Sequence, residues 1–440
     1  MKDSFIEKKT FSYHSRINSS IVIKKKYIPA QNIQQYLRKY LLLYPMQFGY
    51  FSYTFVQYQE PTVINKHYSS SFPDACFMAP GILFIEDIAL QKLSVQITYR
   101  NLAEKKHFDE IIAMILQNIR LAQFPLQNSR PLITLSPLQY HFPYKQYLKA
   151  VSRAKMFLYE GESYQIKLSQ KMSCQFKGNP FQIYQKLRKI NPSPYNSVVS
   201  LGNAIIISNS PEQLLEVRGD VAITKPIAGT YPKNSFLQEE QKELVKSLFL
   251  ADQKELAEHI MLVDLERNDL GKVCSFGSVR VTKMMDIEEY SHLFHIVSTI
   301  EGNLAQDKNG VYNDAYDAFF ALFPGGTITG CPKKRTMEII SQLEPCSRGI
   351  YTGNIGYFFN DGVRFTEAQF SIAIRSLFFN KILDHNYLLP HYLLSFHVGG
   401  GIVADSNSKR EYDETMWKAF ALLESIGFKK RGVKKRGFKK

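Results

Sequence analysis

Four stretches of the chain carry the signals of helices. Residues 146–158 place apolar side chains at three- and four-residue intervals, which predicts an amphipathic helix with one buried face. Further helices are predicted over residues 181–190, 254–271 and 334–343. The stretch 254–271 consists of good helix formers without proline and finishes at Gly271, where a left-handed C-terminal residue is favoured. A helix-like run that contains Glu411 and Glu414 lies near the end of the chain.

Short apolar or alternating runs between the helices predict β-strands. They cover residues 48–55, 93–99, 163–170, 198–201, 204–208 and 214–217. Residues 198–208 are typical of a hairpin, and few strand–helix–strand units occur, so most neighbouring strands should be antiparallel. No repeat of roughly 20–50 residues is present, which excludes solenoids and propellers. We therefore expect an α+β fold with large, mostly antiparallel β-sheets.

The length of the chain allows a large buried core and more than one simple domain. The chain has 440 residues, of which 45% are hydrophobic. Prolines at 125, 131 and 137 indicate a connector. We predict a β-rich N-terminal region over residues 1–130, a main domain over residues 140–425, and a disordered basic tail over residues 428–440.

The net charge of +15 suggests a nucleic-acid-binding protein, but the distribution of the charge argues against one. The last twelve residues contain eight positive charges and no negative charge, so they account for +8 of the net charge and leave +7 for the rest of the chain. A run of like charges at a chain end is typical of a solvated appendage. We therefore expect neither nucleic acid nor a membrane among the partners, and an RNA-binding function would depend on the tail alone.

The remaining composition suits a cytoplasmic protein. The N-terminus lacks the apolar segment of a signal peptide, and no apolar run approaches the roughly 20 residues that span a bilayer. The five cysteines are scattered without a C-x-x-C pair, so they indicate neither a disulfide framework nor a zinc site.

Two acidic pairs stand out among the predicted helices. Glu255 and Glu258 are three residues apart and share one helix face, and Glu411 and Glu414 repeat this spacing. Like charges at this spacing destabilise a helix by roughly 0.2–0.5 kcal/mol, a cost that a bound cation would reverse. Carboxylate oxygens suit Mg²⁺. The alternative is that both pairs lie on solvated helix turns.

Three glycine-bearing stretches resemble loops that approach a ligand. Residues 225–230 (KPIAGT) place Gly229 beside Thr230, which combines a flexible backbone with a hydroxyl. Residues 323–333 (FPGGTITGCPK) lack the Walker phosphate-loop spacing, so we interpret them as a loop that directs N–H groups and threonine hydroxyls at carboxylates. Three consecutive glycines at 399–401 precede an apolar run and can open backbone amides toward an anion.

Two further side chains are candidates for the same site. Arg375 closes an apolar strand, where its guanidinium could bind a substrate carboxylate or form a structural ion pair. His295 lies in an apolar segment and is either a core residue or a catalyst. The sequence contains no nucleophile triad and no nicotinamide-binding fingerprint. Together the candidates predict a Mg²⁺ site with carboxylate-binding loops, which suits a small dianionic substrate.

These stretches together resemble the chorismate-utilising enzymes. That family contains the large components of anthranilate synthase and aminodeoxychorismate (para-aminobenzoate) synthase, with isochorismate and salicylate synthases as relatives. The resemblance covers residues 140–425 and lies in residues 226–230, 257–269, 323–332, 351–357 and 400–406. It implies an anthranilate synthase component I-like fold, in which large antiparallel sheets pack face to face with helices outside. Residues 140–425 would then be a chorismate-binding catalytic domain.

The resemblance also implies a role for each candidate residue. Glu258 and Glu414 would ligate Mg²⁺, and Glu255 and Glu411 would support it through water molecules. The residues implied to bind chorismate are Gly229, Thr230, Tyr351, Arg375, Gly399, Gly400 and Gly401. The residues implied to act on the reacting part of the ring are His295, Thr327 and Glu258. Ammonia would come from a glutamine amidotransferase subunit.

Other positions distinguish among the relatives. Isochorismate and salicylate synthases have a water-activating lysine where this chain has Gln165, and an amide is not a general base, so ammonia is the expected nucleophile. Ala228 is typical of anthranilate synthases, and many aminodeoxychorismate synthases have a covalently acting lysine there. Residues 326–333 and 397–401 are more similar to aminodeoxychorismate synthases, and the LLES element of tryptophan feedback occurs only at 422–425, the wrong end of the chain. We expect 4-amino-4-deoxychorismate as product, with anthranilate as the alternative.

A non-catalytic chorismate-binding protein is a third possibility. It would be expected to lose at least one residue of the site. Glu258, Glu414, Arg375 and His295 are all present, which favours an enzyme.

Overall fold

The computed structural model describes residues 6–12, 20–22, 33–63, 72–120, 133–134, 136–232, 238–289, 293–306, 310–382 and 391–428. The helices, labelled in chain order, are α1 (Ile33–Leu41), α2 (Leu102–Arg120), α3 (Tyr144–Tyr159), α4 (Pro180–Ile190), α5 (Gln238–Ala251), α6 (Gln253–Gly271), α7 (Ala315–Leu322), α8 (Gly326–Thr329), α9 (Lys333–Leu343) and α10 (Ser408–Ser425). A short 3-10 helix covers Tyr53–Tyr58.

The strands, labelled in the same way, are β1 (Ile6–Ser12), β2 (Ser20–Val22), β3 (Met46–Phe51), β4 (Ala75–Met78), β5 (Ile82–Asp87), β6 (Lys92–Tyr99), β7 (Ile133–Thr134), β8 (Gln139–Tyr140), β9 (Gln165–Lys177), β10 (Tyr195–Leu201), β11 (Ala204–Ser210), β12 (Gln213–Arg218), β13 (Val221–Lys225), β14 (Ile227–Pro232), β15 (Arg280–Glu289), β16 (Leu293–Asn303), β17 (Gly330–Cys331), β18 (Asn354–Asn360), β19 (Phe365–Ile372), β20 (Ser376–Ile382) and β21 (His391–Ile402).

Two large antiparallel sheets form the centre of the fold. The first has eight strands in the order β10-β11-β20-β21-β9-β17, with β7 and β8 also paired to β9. The second has ten strands in the order β14-β16-β13-β12-β19-β18-β3-β4-β2, with β15 also paired to β16. A smaller sheet of β1, β6 and β5 contains the one parallel pair among the described strands, β1 with β6. The predicted α+β fold with mostly antiparallel sheets is confirmed.

The two large sheets pack against each other through their inner faces. Tyr50 and Ile355 of the ten-stranded sheet share a buried cluster with Ile206 and Phe378 of the eight-stranded sheet. On the outer faces, α4 and α10 cover the eight-stranded sheet, and α1 and α7 cover the ten-stranded sheet. This is the predicted face-to-face arrangement with helices outside.

The N-terminal region contributes strands to the same sheet as the main domain. β3 pairs with β18 from Met46 to Phe51. Phe51 is fully buried, and its ring centroid lies 4.7 Å from that of Phe319 on α7. Burying such a side chain stabilises the fold by about 1.5–3 kcal/mol, so residues before position 130 strengthen the core directly beneath the segment 323–333.

The predicted helices over 146–158, 181–190, 254–271 and 334–343 are confirmed as α3, α4, α6 and α9. Four local expectations are corrected. Residues 225–230 are strand and not loop, and residues 399–401 lie within β21, after its apolar part. Gly271 is the last residue of α6 and does not adopt the left-handed conformation. Arg375 lies in the turn between β19 and β20 and not at the end of a strand.

The connector near 125–131 and residues 429–440 of the basic tail lie outside the described residues. No helix among those that the structure describes has the length and apolarity needed to cross a membrane.

Candidate active site

On the adjacent strands β9 and β21, the side chains of Gln165 and Lys167 lie over Gly401. Gly401 lies opposite Lys167 in the antiparallel register. A Cβ atom at Gly401 would lie 2.7 Å from Gln165 Nε2 and 2.8 Å from Lys167 Nζ. Because these distances are too short for a carbon contact, position 401 has to be glycine while the two side chains keep their places.

Gln165 is completely buried at this point. Neither its Nε2 nor its Oε1 atom has a hydrogen-bond partner of normal geometry among the described residues. The amide lies close enough to Glu258 to help stabilise that carboxylate. A buried polar group without partners costs about 1–3 kcal/mol, so an amide in this position is suited to binding a ligand.

Helices α6 and α10 each present a carboxylate that is paired with a lysine. Lys167 Nζ lies 2.7 Å from Glu258 Oε1, and Lys418 Nζ lies 3.0 Å from Glu414 Oε1. The charge of Lys418 also stabilises the Glu258 carboxylate, which places the two helices at the same site. Burial alone would raise the pKa of Glu258, but the charge and hydrogen bond of Lys167 outweigh it and lower the pKa to about 2.

The other two predicted metal ligands differ from each other in their surroundings. Glu255 is exposed on α6. Glu411 is buried, and its Oε1 accepts a hydrogen bond of 2.7 Å from the hydroxyl of Ser406. Its Oε2 atom lies 3.6 Å from the position that a Cβ atom at Gly400 would take. Helix α10 therefore reaches residues 399–401 of β21, here called the glycine segment.

The carboxylates fit Mg²⁺, although they do not form a closed metal cage. In the part of the chain that the structure describes, no three His, Cys, Asp or Glu side chains share one metal position. Mg²⁺ is usually held by one or two protein carboxylates and keeps several waters or substrate oxygens. Glu258 and Glu414 supply that number of hard oxygen ligands from two different helices.

The glycine segment of β21 has an open backbone edge. β20 pairs with β21 only from His391 to Ser395, and no other described strand covers this side of residues 396–402. Lys418 Nζ lies 3.2 Å from the carbonyl oxygen of Gly399, to which it donates. The N–H and C=O of one strand residue point to the same side, so Gly399 and Gly401 both present backbone groups at this edge.

Glu212 lies between β11 and β12, close to a second set of polar and charged side chains. Burial raises the pKa of Glu212 to about 6, against the opposing effects of Thr327, Lys167 and Arg375. The Oε1 atom of Glu212 and the Oγ1 atom of Thr327 are buried without a hydrogen bond of normal geometry to any described residue. Glu212 therefore keeps its proton to a higher pH than an ordinary carboxyl group and can act as an acid.

Arg375 supplies the positive charge next to Glu212. Its backbone has a φ of +50°, which is uncommon for a residue other than glycine. Burial lowers the pKa of Arg375 to about 10 and Glu212 partly offsets this, so the guanidinium remains charged at neutral pH. A partly buried cation on a strained backbone is typical of a binding position.

His295 lies on β16 and faces β14. Its Nδ1 atom lies 3.4 Å from the carbonyl oxygen of Gly229, a residue with a φ of +58° at a bulge in β14. Burial and the charge of Arg375 lower the pKa of His295 to about 4, so the imidazole is neutral at physiological pH. Thr230 is opposite His295 in the strand register, and its side chain lies outside the described part of the structure.

Tyr351 forms a wall beside the glycine segment. Its ring is buried and stacks on that of His397, with centroids 4.9 Å apart and planes at 12°. A Cβ atom at Gly399 would lie 3.0 Å from the Tyr351 hydroxyl oxygen. The absence of a side chain at Gly399 therefore leaves room for this hydroxyl over the face of β21.

A buried ion pair fixes the positions of these elements. Arg348 donates to both carboxylate oxygens of Glu344 at 2.8 and 2.9 Å, and the two side chains are 2% and 5% exposed. Arg348 also donates to the carbonyl oxygens of Ile328 at 2.9 Å and Lys167 at 2.7 Å. The backbone N–H of Ser169 donates to Glu344 at 2.7 Å. The ion pair thus joins helix α8, which contains Ile328, to strand β9.

The structure brings most of the predicted residues into one connected region. Arg375 acts electrostatically on Glu212 and His295, Lys167 acts on Glu212 as well as Glu258, and the glycine segment lies beside Lys167. Sequence reasoning missed Glu212 and Lys167. For Glu212 the local sequence shows only a carboxylate after Ser210-Pro211, between two strands, which does not distinguish it from an exposed turn residue. For Lys167, only its alternation with Gln165 on one strand face indicated a shared location.

Comparisons with known proteins identify the family of the chain. A family described as chorismate binding enzyme matches residues 6–424 of the chain. The chain belongs to this family. The match extends over both large sheets and includes the N-terminal strands.

Relatives with two different names resemble this member of the family. The chain is 36% identical over 387 residues to anthranilate synthase component 1 of Thermus thermophilus, covering 88% of this chain and 78% of the relative. It is also 36% identical over 381 residues to aminodeoxychorismate synthase component 1 of Bacillus subtilis, covering 86% and 76%. Among solved structures, anthranilate synthase component I from Streptococcus pneumoniae superimposes with a TM-score of 0.75 at 28% identity, covering 94% of this chain and 91% of that one.

Proposed function

We propose that the chain is the large component of an aminodeoxychorismate synthase. It would convert chorismate and ammonia into 4-amino-4-deoxychorismate and water, with Mg²⁺ as cofactor. A glutamine amidotransferase subunit would supply the ammonia. Membership of the chorismate-binding family and the similarity to relatives named for both amination reactions support this class of chemistry.

The observation that carries the proposal is the buried amide of Gln165. Attack by water on the ring would require a general base at the reacting carbon, and an amide cannot take up a proton. Ammonia is nucleophilic without such a base. Because both polar atoms of Gln165 lack a hydrogen bond of normal geometry to described residues, the amide can orient a small polar molecule beside Glu258.

The residues on the other side of the site would assist departure of the hydroxyl group. The carbon–oxygen bond of the ring breaks as the carbon–nitrogen bond forms, so the hydroxyl oxygen needs a proton. Glu212 can supply it, because burial raises its pKa to about 6 and it lies beside Thr327. The proton that the added nitrogen loses then restores the acid. Arg375 would bind a carboxylate of the substrate, and neutral His295 would add no competing charge.

Mg²⁺ would be held by Glu258 and Glu414 and would neutralise the ring carboxylate of chorismate. The open edge at Gly399 and Gly401 can present backbone groups to the substrate. The hydroxyl of Tyr351 lies over the face of the same segment, at Gly399.

Motifs favour aminodeoxychorismate over anthranilate as product. Residues 326–333 (GTITGCPK) and 397–401 (HVGGG) are more similar to aminodeoxychorismate synthases. Anthranilate synthase component I remains the second candidate because Ala228 is typical of it and because several relatives bear that name. In either case Ala228 excludes a covalently acting lysine at that position.

Identification of the product by mass spectrometry tests the proposal. The purified chain is incubated with chorismate, Mg²⁺ and ammonium ions, and the products are separated and weighed. A product that retains the enolpyruvyl group and gains nitrogen supports the proposal. Formation of anthranilate and pyruvate would make the chain an anthranilate synthase. Absence of turnover, even with a glutamine amidotransferase supplied, would favour a non-catalytic chorismate-binding protein.

A further inference from the structure

Lys167 occupies an unusual position for a lysine. Its side chain is 20% exposed, and its Nζ atom lies 2.7 Å from Oε1 of Glu258, the carboxylate proposed above to hold Mg²⁺. The backbone carbonyl of Lys167 is itself fixed by Arg348 at 2.7 Å. The ammonium group is thus held against Glu258 by a rigid strand and not by a mobile loop.

The ammonium group and a divalent cation cannot share this carboxylate without strong repulsion. Mg²⁺ bound to an oxygen of Glu258 would lie within a few ångströms of Lys167 Nζ, where unscreened like charges repel strongly. Lys167 can move toward solvent, since its side chain is 20% exposed, and its ammonium group fits at its present place only because position 401 has no side chain. A Cβ atom at that position would be only 2.8 Å from Nζ.

We propose that Lys167 is an internal cation that competes with Mg²⁺ for Glu258, so that the metal binds only as the ammonium group moves away. The lysine keeps Glu258 neutralised in the metal-free protein and weakens its affinity for divalent cations. This inference rests on the assignment of Glu258 as a metal ligand in the proposed function. It assigns to Lys167 a role in controlling metal affinity.

Direct metal titration without chorismate tests this role. Mg²⁺ binding is measured by isothermal titration calorimetry, and Mn²⁺ binding by electron paramagnetic resonance, since carboxylate sites accept both ions. We expect Lys167→Met to lower the Kd for both ions by roughly ten-fold, because the competing charge is removed. Lys167→Arg keeps the charge and should remain within about two-fold of the unaltered protein.

Lys171→Met is the matched control. Lys171 lies on the same strand and carries the same charge, but it is not among the groups that act on Glu258. The Kd of the Lys171→Met variant for Mg²⁺ and Mn²⁺ should equal that of the unaltered protein. If Lys167→Met unfolds, as judged by its melting temperature, Lys167→Gln provides the same test with a polar side chain.

Two results would overturn the inference, and they have different meanings. Unchanged or weaker metal binding by Lys167→Met, while Glu258→Gln abolishes binding, would show that Lys167 does not compete. Unchanged binding by Glu258→Gln would remove Glu258 from the metal site altogether. Neither result depends on turnover, so a failure of the proposed amination reaction would be recognised separately from the product assay.

Discussion

Replacing Arg348 by methionine should destabilise the protein strongly. Arg348 is 2% exposed and satisfies Glu344 through two hydrogen bonds of 2.8 and 2.9 Å. Its guanidinium carbon also lies 4.8 Å from the ring centroid of Tyr53. Methionine would fill much of the volume but would leave the buried Glu344 carboxylate without a countercharge.

The expected loss is about 3–5 kcal/mol of the free energy of unfolding, the usual result of removing one partner of a buried ion pair. The carbonyl oxygens of Ile328 and Lys167 lose their donor in the same variant, which places the loss toward the upper end. The double variant Arg348→Met/Glu344→Met removes the uncompensated charge. It should be less destabilised than the sum of the single variants by about 1–3 kcal/mol.

Urea unfolding followed by circular dichroism measures these differences. Arg335→Met is the matched control, because Arg335 on helix α9 forms only partly exposed pairs, with Glu162 at 2.7 Å and with Glu338 at 3.0 Å. An exposed pair contributes at most about 1 kcal/mol. The reasoning is refuted if Arg348→Met loses no more stability than Arg335→Met, or if the double variant loses the full sum.

Four further predictions concern the site and its surroundings. Glu212→Gln should lower kcat by about 10²–10⁴-fold in a steady-state assay while the protein remains folded, and near-normal kcat would exclude Glu212 as the acid. Glu266 is 3% exposed, and burial raises its pKa to about 8, so its contribution to stability is lost as pH rises from about 4.5 through 8. The stability of Glu266→Gln relative to the unaltered protein should therefore increase over that pH range in urea titrations, and a constant difference would contradict the raised pKa. Gly401→Ala should cost about 1 kcal/mol or less but abolish turnover, because it displaces only the ends of side chains. Gly356→Ala places its Cβ 1.9 Å from a backbone oxygen and should cost about 3 kcal/mol or more, and equal melting temperatures would refute this contrast. Arg375→Ala should weaken chorismate binding by about 2–4 kcal/mol, visible as a raised KM, whereas an unchanged KM would make Arg375 structural.

Local sequence patterns predicted the secondary structure well where the pattern extends over several turns. Helix α3 follows its expected range because its apolar face repeats along the sequence, and α6 does so because it consists of good helix formers without proline. Short glycine segments were less predictable. Residues 399–401 were expected before a strand and lie inside β21, because the need for glycine there comes from side chains of β9 and from Tyr351, far away in sequence.

The acid of the candidate site could not be recognised from its local sequence. Glu212 follows a serine and a proline, a combination that also describes many exposed turns. Its raised pKa depends on burial among elements that carry Thr327 and Arg375, more than 100 residues later. Lys167 was assigned to a strand correctly, but its contact with Glu258 joins residues that are 91 positions apart. Spacing within a motif contains no information about such contacts.

The strand order has a consequence for the biosynthesis of the protein. β3 can pair with β18 only after about 300 further residues have been synthesised. β9 can pair with β21 only after more than 200 further residues. At a translation rate of roughly 5–20 residues per second, β3 spends about 15–60 s without its central neighbour. During that time its apolar edge is exposed on the ribosome. Pairing of β3 with β4, which begins 24 residues after β3 ends, can cover one of its two edges in the meantime.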